Sequence, residues 1–419
     1  MFHTPLTRRS VLQAAAGLGL SFAIPPLDLK AADDRGPQRK KSLITIWLSG
    51  GPSQLETWDP HPGTKIGGPT TAIDTTIPGV QIASHFPQTA AQLQHVSLIR
   101  SLVSKEGDHE RGVYMLKTGY RPDVTTVHPA LGSIAMHELP DAGIEIPKFI
   151  ALGQQPFSSR GGYLGEQFDP YHIYEPGRNA QNLEAGVPAE RQQRRLKQLE
   201  AVSQSFTRGR KLRVEQTLHQ HTVEAALKMM SSDQLKAFQL EHETATVKAA
   251  YGDNSFARGC LVARRLVEQG VRAVEVSLEG FDAHADNFTA HEIRCKILDP
   301  ALAMLIQELR ERDLLQSTVV LVIGEFGRTP NINPLDGRDH WPTGFSCLLG
   351  GGGLQSGVVI GETDPTGEKK TPTDPIEVKD LFATILHTLG VDYTRELLTP
   401  IGRPMKLSEG HPIARLING

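Results

Sequence analysis

The sequence predicts an α/β sandwich with a mostly parallel central sheet. Short apolar segments alternate along the chain with longer segments of helical periodicity, an order that favours this fold class. Some apolar segments, such as residues 318–323, are almost unbroken, which is typical of parallel strands covered on both faces. Polar clusters follow several of these segments, and open α/β sheets bind ligands beyond the carboxyl ends of their strands. The sequence therefore predicts both the fold and the edge of the sheet that carries a site.

Strands and helices can be placed along the chain by their hydrophobic patterns. Five apolar segments are predicted as strands: residues 42–48, 96–99, 148–152, 271–278 and 318–323. Apolar residues recur every three or four positions from Ile293 to Leu309, which predicts a helix with a kink at Pro300. A second helix is predicted over residues 378–389, with Gly390 as its stop. Residues 188–267 are rich in Gln, Glu, Arg and Ala and poor in strand formers, which predicts a helical insertion or cap.

Length and composition indicate one large globular domain. The 419 residues can bury a substantial core, and a hydrophobic content of 39% with 22% charged residues is that of a globular chain. The 40 glycines and 28 prolines require many loops, which in a chain of this size commonly carry a site. A formal net charge of -3 gives no general attraction for nucleic acid, so we expect no DNA or RNA partner.

The amino terminus has the pattern of a targeting segment. Arg8 and Arg9 precede a short uncharged apolar stretch, which predicts a twin-arginine signal peptide over residues 1–32, removed near Ala31. A membrane anchor is the alternative, but the stretch is shorter than the roughly 20 residues of a stable membrane span. We therefore expect a linker over residues 33–41 and a mature domain over residues 42–419. The expected export machinery is the twin-arginine system, and the expected location is the periplasm or the medium.

The cysteines give little indication of function. Cys260, Cys295 and Cys347 form no CxxC pair and no zinc-site spacing, so buried thiols are expected, with one disulfide left open for an exported protein. A redox role coupled to export has no cofactor pattern behind it, because the glycine run at residues 350–353 lacks the spacing of a dinucleotide-binding loop.

Two polar clusters follow the first two predicted strands. After the first, two glycines and Ser53 either bring backbone N–H groups and a hydroxyl to a bound anion or form a tight turn with a serine cap. After the second, Asp108, His109 and Arg111 precede a segment that can begin a buried helix. A helix amino terminus favours negative charge, so an oxyanion could bind there, and a solvated turn that caps the helix is the alternative.

The third polar cluster follows the predicted strand at residues 271–278. Asp282 and His284 are two positions apart, so in an extended segment they project to the same side. One carboxylate and one imidazole from a short loop suit Zn²⁺, Mn²⁺ or Fe as metal ligands. The alternative is a structural Asp-x-His pair.

The fourth cluster follows the last predicted strand and contains both charge signs. Glu325 lies two residues beyond the strand and can supply carboxylate oxygens, while Arg328 can contact an anion through its planar fork. Asp339 and His340 come after a loop rich in Gly, Pro and Asn, which could bring His340 back over the sheet. A salt-bridge network that includes Arg338 is the alternative, since such pairs neutralise each other without a ligand.

Several of these motifs together resemble a known family. In chain order they are GGPSQLETWDP, GDHERG, FDAHADNF, GEFGRTP, GRDHWP and GETDPTG. They resemble the domain-of-unknown-function family 1501, exported bacterial proteins of the alkaline phosphatase/sulfatase superfamily. The resemblance implies an alkaline-phosphatase-like α/β/α sandwich whose strand-end loops hold divalent metal, and an activity on phosphate or sulfate esters. It covers nearly the whole mature chain and says less about activity than about fold.

The resemblance also implies roles for individual residues. Asp282 and His284 resemble the superfamily's metal-binding pair, Glu325 stands where a ligand Asp is found, and His340 resembles the late histidine ligand. The position of the superfamily's nucleophile falls near His109. Two departures argue against a second metal, because no Asp follows the first strand and Phe326 stands in place of a histidine.

These observations lead to one main hypothesis and one rival. The main hypothesis is a hydrolase of a small phosphorylated or sulfated substrate that holds one divalent metal, zinc, manganese or another, through Asp282, His284, Glu325 and His340. It assigns general base or nucleophile to His109, charge stabilisation to Arg111 and Arg328, and substrate contacts to Ser53, Asp108 and Asp339. The rival is a catalytically degenerate member of the fold that binds an anionic ligand or glycan.

Overall fold

The computed structural model describes residues 40–140, 143–178, 186–207 and 219–417. The predicted signal peptide at residues 1–32 and most of the predicted linker lie outside these ranges. Within them, no helix combines the length and the apolar character that a membrane span requires.

The described chain alternates strands and helices as the sequence predicts. The strands are β1 Ser42–Ser49, β2 Ala72–Asp74, β3 Gln81–Ala83, β4 Val96–Val103, β5 Phe149–Leu152, β6 Tyr171–Ile173, β7 Ala273–Glu279, β8 Thr318–Ile323, β9 Gly327–Arg328, β10 His340–Trp341, β11 Phe345–Gly351, β12 Val359–Ile360, β13 Ile376–Glu377, β14 Glu396–Leu398 and β15 Pro404–Lys406. The α-helices are α1 Pro87–Ala90, α2 His109–Thr118, α3 Leu131–Glu138, α4 Ala189–Thr207, α5 His219–Met230, α6 Ala245–Tyr251, α7 Ser255–Glu268, α8 Asn287–Glu311, α9 Val378–Leu389 and α10 Ala414–Ile417.

A central sheet organises the domain. Among the described residues it has nine strands in the order β12-β4-β11-β8-β1-β7-β5-β6, with β13 also paired to β4. Every pairing in it is parallel except those of β11, which runs antiparallel to both β4 and β8. The predicted α/β architecture with a mostly parallel sheet is therefore confirmed.

Helices cover both faces of this sheet, and β1 shows how the sequence specifies the two layers. Ile44, Ile46 and Leu48 belong to the core that also buries α7 and α8, while Leu43 and Trp47 belong to the core shared with α2, α3 and α9. Successive side chains of a strand point to opposite faces, so an unbroken apolar run supplies both cores at once. This is the sandwich that the continuous apolar strands predict.

The differences from the predicted elements are local. All five predicted strands are present, but β11 was not among them, and this strand ends in glycines that weaken its propensity signal. Helix α8 runs through Pro300, and α9 ends at Gly390, whose φ is 81°. Between residues 188 and 268 the described segments hold four α-helices, of which α7 packs against β7 in the main core. The extent of an insertion there stays a prediction.

The strand directions decide where loops can meet. Strands β1, β7 and β8 are mutually parallel, so their carboxyl ends lie at one edge of the sheet. Strand β4 ends at the same edge, because both β4 and β8 are antiparallel to β11. The polar segments that follow these four strands therefore share one edge, as ligand-binding loops of open α/β sheets do.

Candidate metal centre

Loops from several strands bring three histidines and one aspartate together at this edge. Asp282 and His284 come from the loop after β7, and His340 opens the short strand β10. His109 is the first residue of α2, which begins soon after β4. One ligand atom from each of His109, Asp282 and His340 lies within 4.8 Å of those of the other two.

The Nδ1 atom of each imidazole faces an acceptor. His109 Nδ1 lies 2.8 Å from Glu325 Oε1, and His284 Nδ1 lies 2.9 Å from Asp339 Oδ1. His340 Nδ1 lies 2.7 Å from the carbonyl oxygen of Gly107. Carbonyl oxygens and ionised carboxylates only accept hydrogen bonds, so each Nδ1 carries the proton and donates it. In the neutral rings, each Nε2 is therefore left with a lone pair.

These Nε2 atoms converge on the carboxylate of Asp282. His109 Nε2 lies 3.2 Å from Oδ2, while His284 Nε2 and His340 Nε2 lie 3.2 Å and 3.4 Å from Oδ1. The Nε2 atoms of His284 and His340 are 3.0 Å apart. With both rings neutral and protonated on Nδ1, no proton lies between these atoms, so only lone pairs face each other.

One buried nitrogen of the cluster and one buried oxygen next to it make no hydrogen bond within the described residues. They are His109 Nε2 and Glu325 Oε2. Buried atoms of this kind cost free energy unless something satisfies them. A divalent cation would satisfy the converging lone pairs, and histidine nitrogens that donate their other N–H to carboxylates or carbonyls are characteristic metal ligands. The donor set of imidazoles and one carboxylate suits Zn²⁺, Mn²⁺ or Fe.

The surroundings of the cluster set the charge states of its side chains. Burial alone would raise the pKa of Asp282, but the hydrogen bond and charge of Arg328 outweigh it and hold the pKa at about 2. The hydrogen bond to Glu325 raises the pKa of His109 against the effect of its burial. Burial lowers the pKa of His340, which favours its neutral form. Asp282 is thus ionised and His340 is poised as a neutral ligand.

Glu325 and Asp339 each contact one histidine of the cluster through its Nδ1 atom. Glu325 is 1% exposed, and its Oε1 accepts hydrogen bonds from His109 Nδ1 and from the backbone N–H of Gly50 at 2.9 Å. Asp339 lies at the surface and orients His284. The structure therefore brings His109, rather than Glu325, into contact with Asp282. Glu325 and Asp339 each accept a hydrogen bond from the Nδ1 atom of one histidine of the cluster.

The predicted anion-binding residues lie in different surroundings. Arg328 is 0% exposed and donates to Asp282 Oδ1 at 2.7 Å. Arg111 is half exposed and pairs with Glu106, with Nε 2.7 Å from Oε2. Asp108 caps α2 by accepting a hydrogen bond from the Arg111 backbone N–H, which is the capping alternative. Ser53 is fully buried, its Oγ has no partner among the described residues, and its backbone N–H donates to His291 Nε2.

Two of the quoted motifs hold loops together beneath the cluster. In ETWDP, Glu56 accepts from Arg338 Nη2 at 2.9 Å and from Asn287 Nδ2 at 2.8 Å. Asp59 of the same motif accepts from both the backbone N–H and the hydroxyl of Thr363, which belongs to GETDPTG. Both motifs therefore have a structural explanation that needs no ligand. The three cysteines are free and buried, as expected, and burial raises their pKa values.

A cavity of about 740 Å³ opens along the same edge of the sheet. It is lined by residues that follow β4, by the end of α2 and by Thr343, which comes three residues after His340. Its volume lies in the range of small-molecule sites.

Comparisons with solved structures give low similarities over most of the chain. A lipoteichoic acid synthase from Listeria monocytogenes shares 11% identity over 84% of this chain and 73% of that one, with a TM-score of 0.40. A phosphonate monoester hydrolase from Silicibacter pomeroyi shares 11% identity over 90% and 76%, with a TM-score of 0.41. A protein in the alkaline phosphatase superfamily from Vibrio parahaemolyticus shares 12% identity over 84% and 67%, with a TM-score of 0.37. Scores at this level support no conclusion about activity.

The family is shown by a different comparison. No curated protein matches the chain. The family model described as "Protein of unknown function (DUF1501)" matches residues 40–417, about nine tenths of the chain. This agrees with the resemblance carried by the six sequence motifs. The chain belongs to the DUF1501 family.

Proposed function

We propose that this protein is an exported, metal-dependent hydrolase that acts on a phosphate or sulfate ester. The observation that carries the proposal is the convergence of three imidazole Nε2 atoms on the Asp282 carboxylate, with every Nδ1 facing an acceptor. The ligand set is His109, Asp282, His284 and His340. Glu325 and Asp339 act as positioning residues that fix the rings of His109 and His284.

This assignment changes two of the predicted roles. Glu325, predicted as a ligand, contacts His109 Nδ1, and His109, predicted as general base or nucleophile, would hold the metal through Nε2. A divalent metal in such a site polarises the ester oxygen and lowers the pKa of a bound water to about 7. The substrate reaches the site from solvent, since the side chains of Asp282 and His284 are about half exposed.

We expect direct attack by water, because within the described residues no serine, threonine or cysteine side chain hydrogen-bonds to the side chains of the four proposed ligands. The hydrogen-bond partners of the four ligand side chains are other histidines, carboxylates, Arg328 and a backbone carbonyl. In this reaction the water oxygen forms a bond to phosphorus or sulfur, the ester bond to the alcohol oxygen breaks, and the alcohol leaves with a proton. Arg111 can take its predicted part in offsetting oxyanion charge only by leaving Glu106.

Export is part of the proposal and rests on the sequence. The paired Arg8 and Arg9 with the apolar stretch that follows support a twin-arginine signal, and hence a periplasmic or secreted protein. A fusion of residues 1–41 to a reporter that is active only after folding and export tests this directly. Replacement of both arginines by lysine should keep the reporter in the cytoplasm, and unchanged export would contradict the proposal.

Metal analysis and ester hydrolysis test the catalytic part. The purified protein should contain a divalent metal and hydrolyse a model phosphate or sulfate ester, such as the p-nitrophenyl compounds. His284→Ala, at a half-exposed position, should fold normally, lose at least about 100-fold in metal affinity and lose turnover. The matched control is His242→Ala, an exposed histidine in the helical region, which should change neither.

Two results would reject the enzymatic proposal in different ways. If the folded protein binds no divalent metal at any tested concentration, the proposed centre does not exist. If it binds metal but turns over neither class of ester, the rival function is favoured, in which the same cluster holds an anionic ligand without hydrolysing it. Calorimetric titration with inorganic phosphate and sulfate then measures that binding.

A further inference from the structure

A fixed positive charge stands directly behind the proposed metal ligand Asp282. Arg328 Nη2 lies 2.7 Å from Asp282 Oδ1, and the arginine side chain is completely buried. The same guanidinium also donates to the carbonyl oxygens of Gly50, Gly51 and Arg338. Burial lowers the pKa of Arg328 somewhat, but an arginine stays protonated in proteins.

The position of this charge is set by two separate loops. Gly50 and Gly51 belong to the loop after β1, whereas Arg338 precedes β10. The backbone of Arg328 is fixed as well, because Gln54 donates to its carbonyl at 2.8 Å and accepts from its N–H at 2.9 Å. The guanidinium therefore cannot turn towards solvent or follow a substrate, as a mobile anion-binding arginine would.

This geometry leaves one side of Asp282 closed to any further cation. Strand β1 ends at Ser49 and is followed by Gly50 and Gly51, so the loop after β1 supplies no carboxylate of its own to compensate a second divalent ion. An incoming ion would also meet a like charge within hydrogen-bond distance of the shared carboxylate. We propose that Arg328 is the built-in second cation of this centre, which restricts it to one divalent ion and weakens the binding of that ion. The inference rests on the proposed metal function.

A neighbouring residue provides a matched comparison. Arg338 is also 0% exposed and also donates to three backbone carbonyls, those of Thr329, Pro330 and Ile66. Its ion pair is with Glu56, which does not belong to the cluster. Replacement of either arginine removes a similar buried scaffold, but only the change at Arg328 removes a charge from Asp282.

The experiment counts ions in the full-length mature protein. Mn²⁺ titration followed by electron paramagnetic resonance, together with calorimetry, should give one uncoupled ion per chain in the wild type. Arg328→Gln should bind the first ion at least about tenfold more tightly, as expected when a like charge is removed at an effective dielectric of about 20. It should also admit a second ion, seen as an exchange-coupled signal. Arg328→Lys keeps the charge and should keep one ion, and Arg338→Gln, which leaves the charge beside Asp282 in place, should also keep one ion.

The outcomes separate this inference from the proposed function. Absence of any bound Mn²⁺ in the wild type overturns the metal centre itself. Two coupled ions in the wild type overturn the role of Arg328 and leave the metal centre standing. Weaker binding in Arg328→Gln, restored by Arg328→Lys, means that the residue only positions Asp282, which also overturns the inference. The wild-type count decides the matter on its own if Arg328→Gln does not fold.

Discussion

At Glu325, one carboxylate oxygen carries two hydrogen bonds and the other carries none. Oε1 accepts from His109 Nδ1 and from Gly50, whereas Oε2 is buried without a partner among the described residues. Glu325→Gln keeps an oxygen for both donors but removes the charge that makes the His109 imidazole a stronger ligand. We expect the metal dissociation constant to rise about 10- to 100-fold, the range for partners of ligating histidines. Competition with a chelator measures it, and thermal unfolding of the metal-free variant confirms the fold.

Asp339 provides a control for the Glu325 variant. Asp339→Asn makes the equivalent change behind His284 at an exposed position, so its effect should be in the same direction but smaller. If Glu325→Gln binds metal as tightly as the wild type, Glu325 does not act through His109.

The carboxylate of Glu106 makes stability depend on pH. Burial would raise its pKa, but hydrogen bonds and charge from Arg111 and Arg121 outweigh this, so its pKa in the folded state lies below its ordinary value of 4.5. A lowered pKa stabilises the folded state above the unfolded-state pKa, and this stability is lost as the pH falls through the folded-state pKa. Glu106→Gln should therefore cost about 1 kcal/mol at neutral pH and flatten the loss of stability below pH 4.5.

Urea unfolding at a series of pH values measures this effect. Glu241→Gln, a change of the same kind at an exposed position, is the control and should reproduce the wild-type curve. An equal slope for Glu106→Gln and the wild type on the acid side would show that the two arginines do not hold this carboxylate ionised.

The proposed ligands differ in how far the sequence could identify them. Asp282, His284 and His340 were accessible, because each stands in a polar motif beside a predicted strand end or its returning loop. The role of His109 was not, because it depends on a contact between Nδ1 and Glu325 over 216 positions of sequence. No local sequence pattern indicates which nitrogen of a histidine makes a hydrogen bond. The same holds for Arg328, whose burial is decided by two distant loops.

At the level of elements, the tight end of β1 brings two loops into contact. Gly50 has a φ of 110°, and a Cβ there would lie 2.4 Å from the backbone nitrogen of Asp282. Gly50→Ala should therefore destabilise the fold by more than about 2 kcal/mol and also displace the cluster. Gly79→Ala is the matched control, since Gly79 has a φ of 75° but open space at its Cβ position. It should lower the free energy of unfolding by only about 1–2 kcal/mol, the cost of a left-handed backbone conformation at a residue that has a Cβ.

Denaturant unfolding and metal titration distinguish the two glycine variants. Gly50→Ala should lower both stability and metal affinity, whereas Gly79→Ala should lower stability alone. Equal effects of the two substitutions would mean that the close approach to Asp282 is not required. The glycines after β1 would then have only the turn-forming role that the sequence left open.

A buried ion pair ties α2 to β7. Lys117 Nζ lies 2.6 Å from Glu275 Oε1, and both side chains are less than a tenth exposed. Ser159 Oγ donates to the other carboxylate oxygen at 2.7 Å. Lys117→Met leaves a buried carboxylate without its cation, which should cost about 3–5 kcal/mol of unfolding free energy.

The double variant tests whether this loss comes from the pair. Lys117→Met combined with Glu275→Leu removes both charges and should recover most of the stability, because a buried pair can be replaced by apolar residues at little cost. Urea unfolding of the two single variants and the double variant gives the coupling energy. If the two losses simply add, the pair is not the source.

The central strands of the sheet could be predicted from the sequence because their apolar segments are unbroken. Unbroken apolar segments such as Thr318–Ile323 must be buried on both faces, and the structure places β8 between β1 and β11 in the sheet. Strand β11 was not among the predicted strands, and its pairing with β4 joins segments far apart in the sequence, which no local pattern records. Its glycines add no local signal.

For the molecule as a whole, the parallel strands place the cluster and the cavity at one edge. The proposed ligands follow β7 or lie in segments attached to β4 and β8, and the cavity lies beyond β4. We therefore expect a substrate that extends along this edge from the cluster to enter the cavity. The charges lining the cavity include Lys105 and Arg403, neither of which forms an ion pair within the part of the chain that the structure describes.

The last prediction concerns this shared edge. Arg403 is exposed at the cavity rim, away from the proposed ligands, so Arg403→Ala should leave metal affinity and kcat unchanged. If the organic part of an anionic substrate occupies the cavity, KM should rise by up to about 5-fold, because an exposed charge contributes up to about 1 kcal/mol. Arg310→Ala is the control, since α8 ends at the opposite edge of the sheet. Steady-state kinetics on the first ester found to be hydrolysed measures both variants. An unchanged KM in Arg403→Ala would place the substrate outside this cavity, because a charge on its wall would then make no contribution to binding.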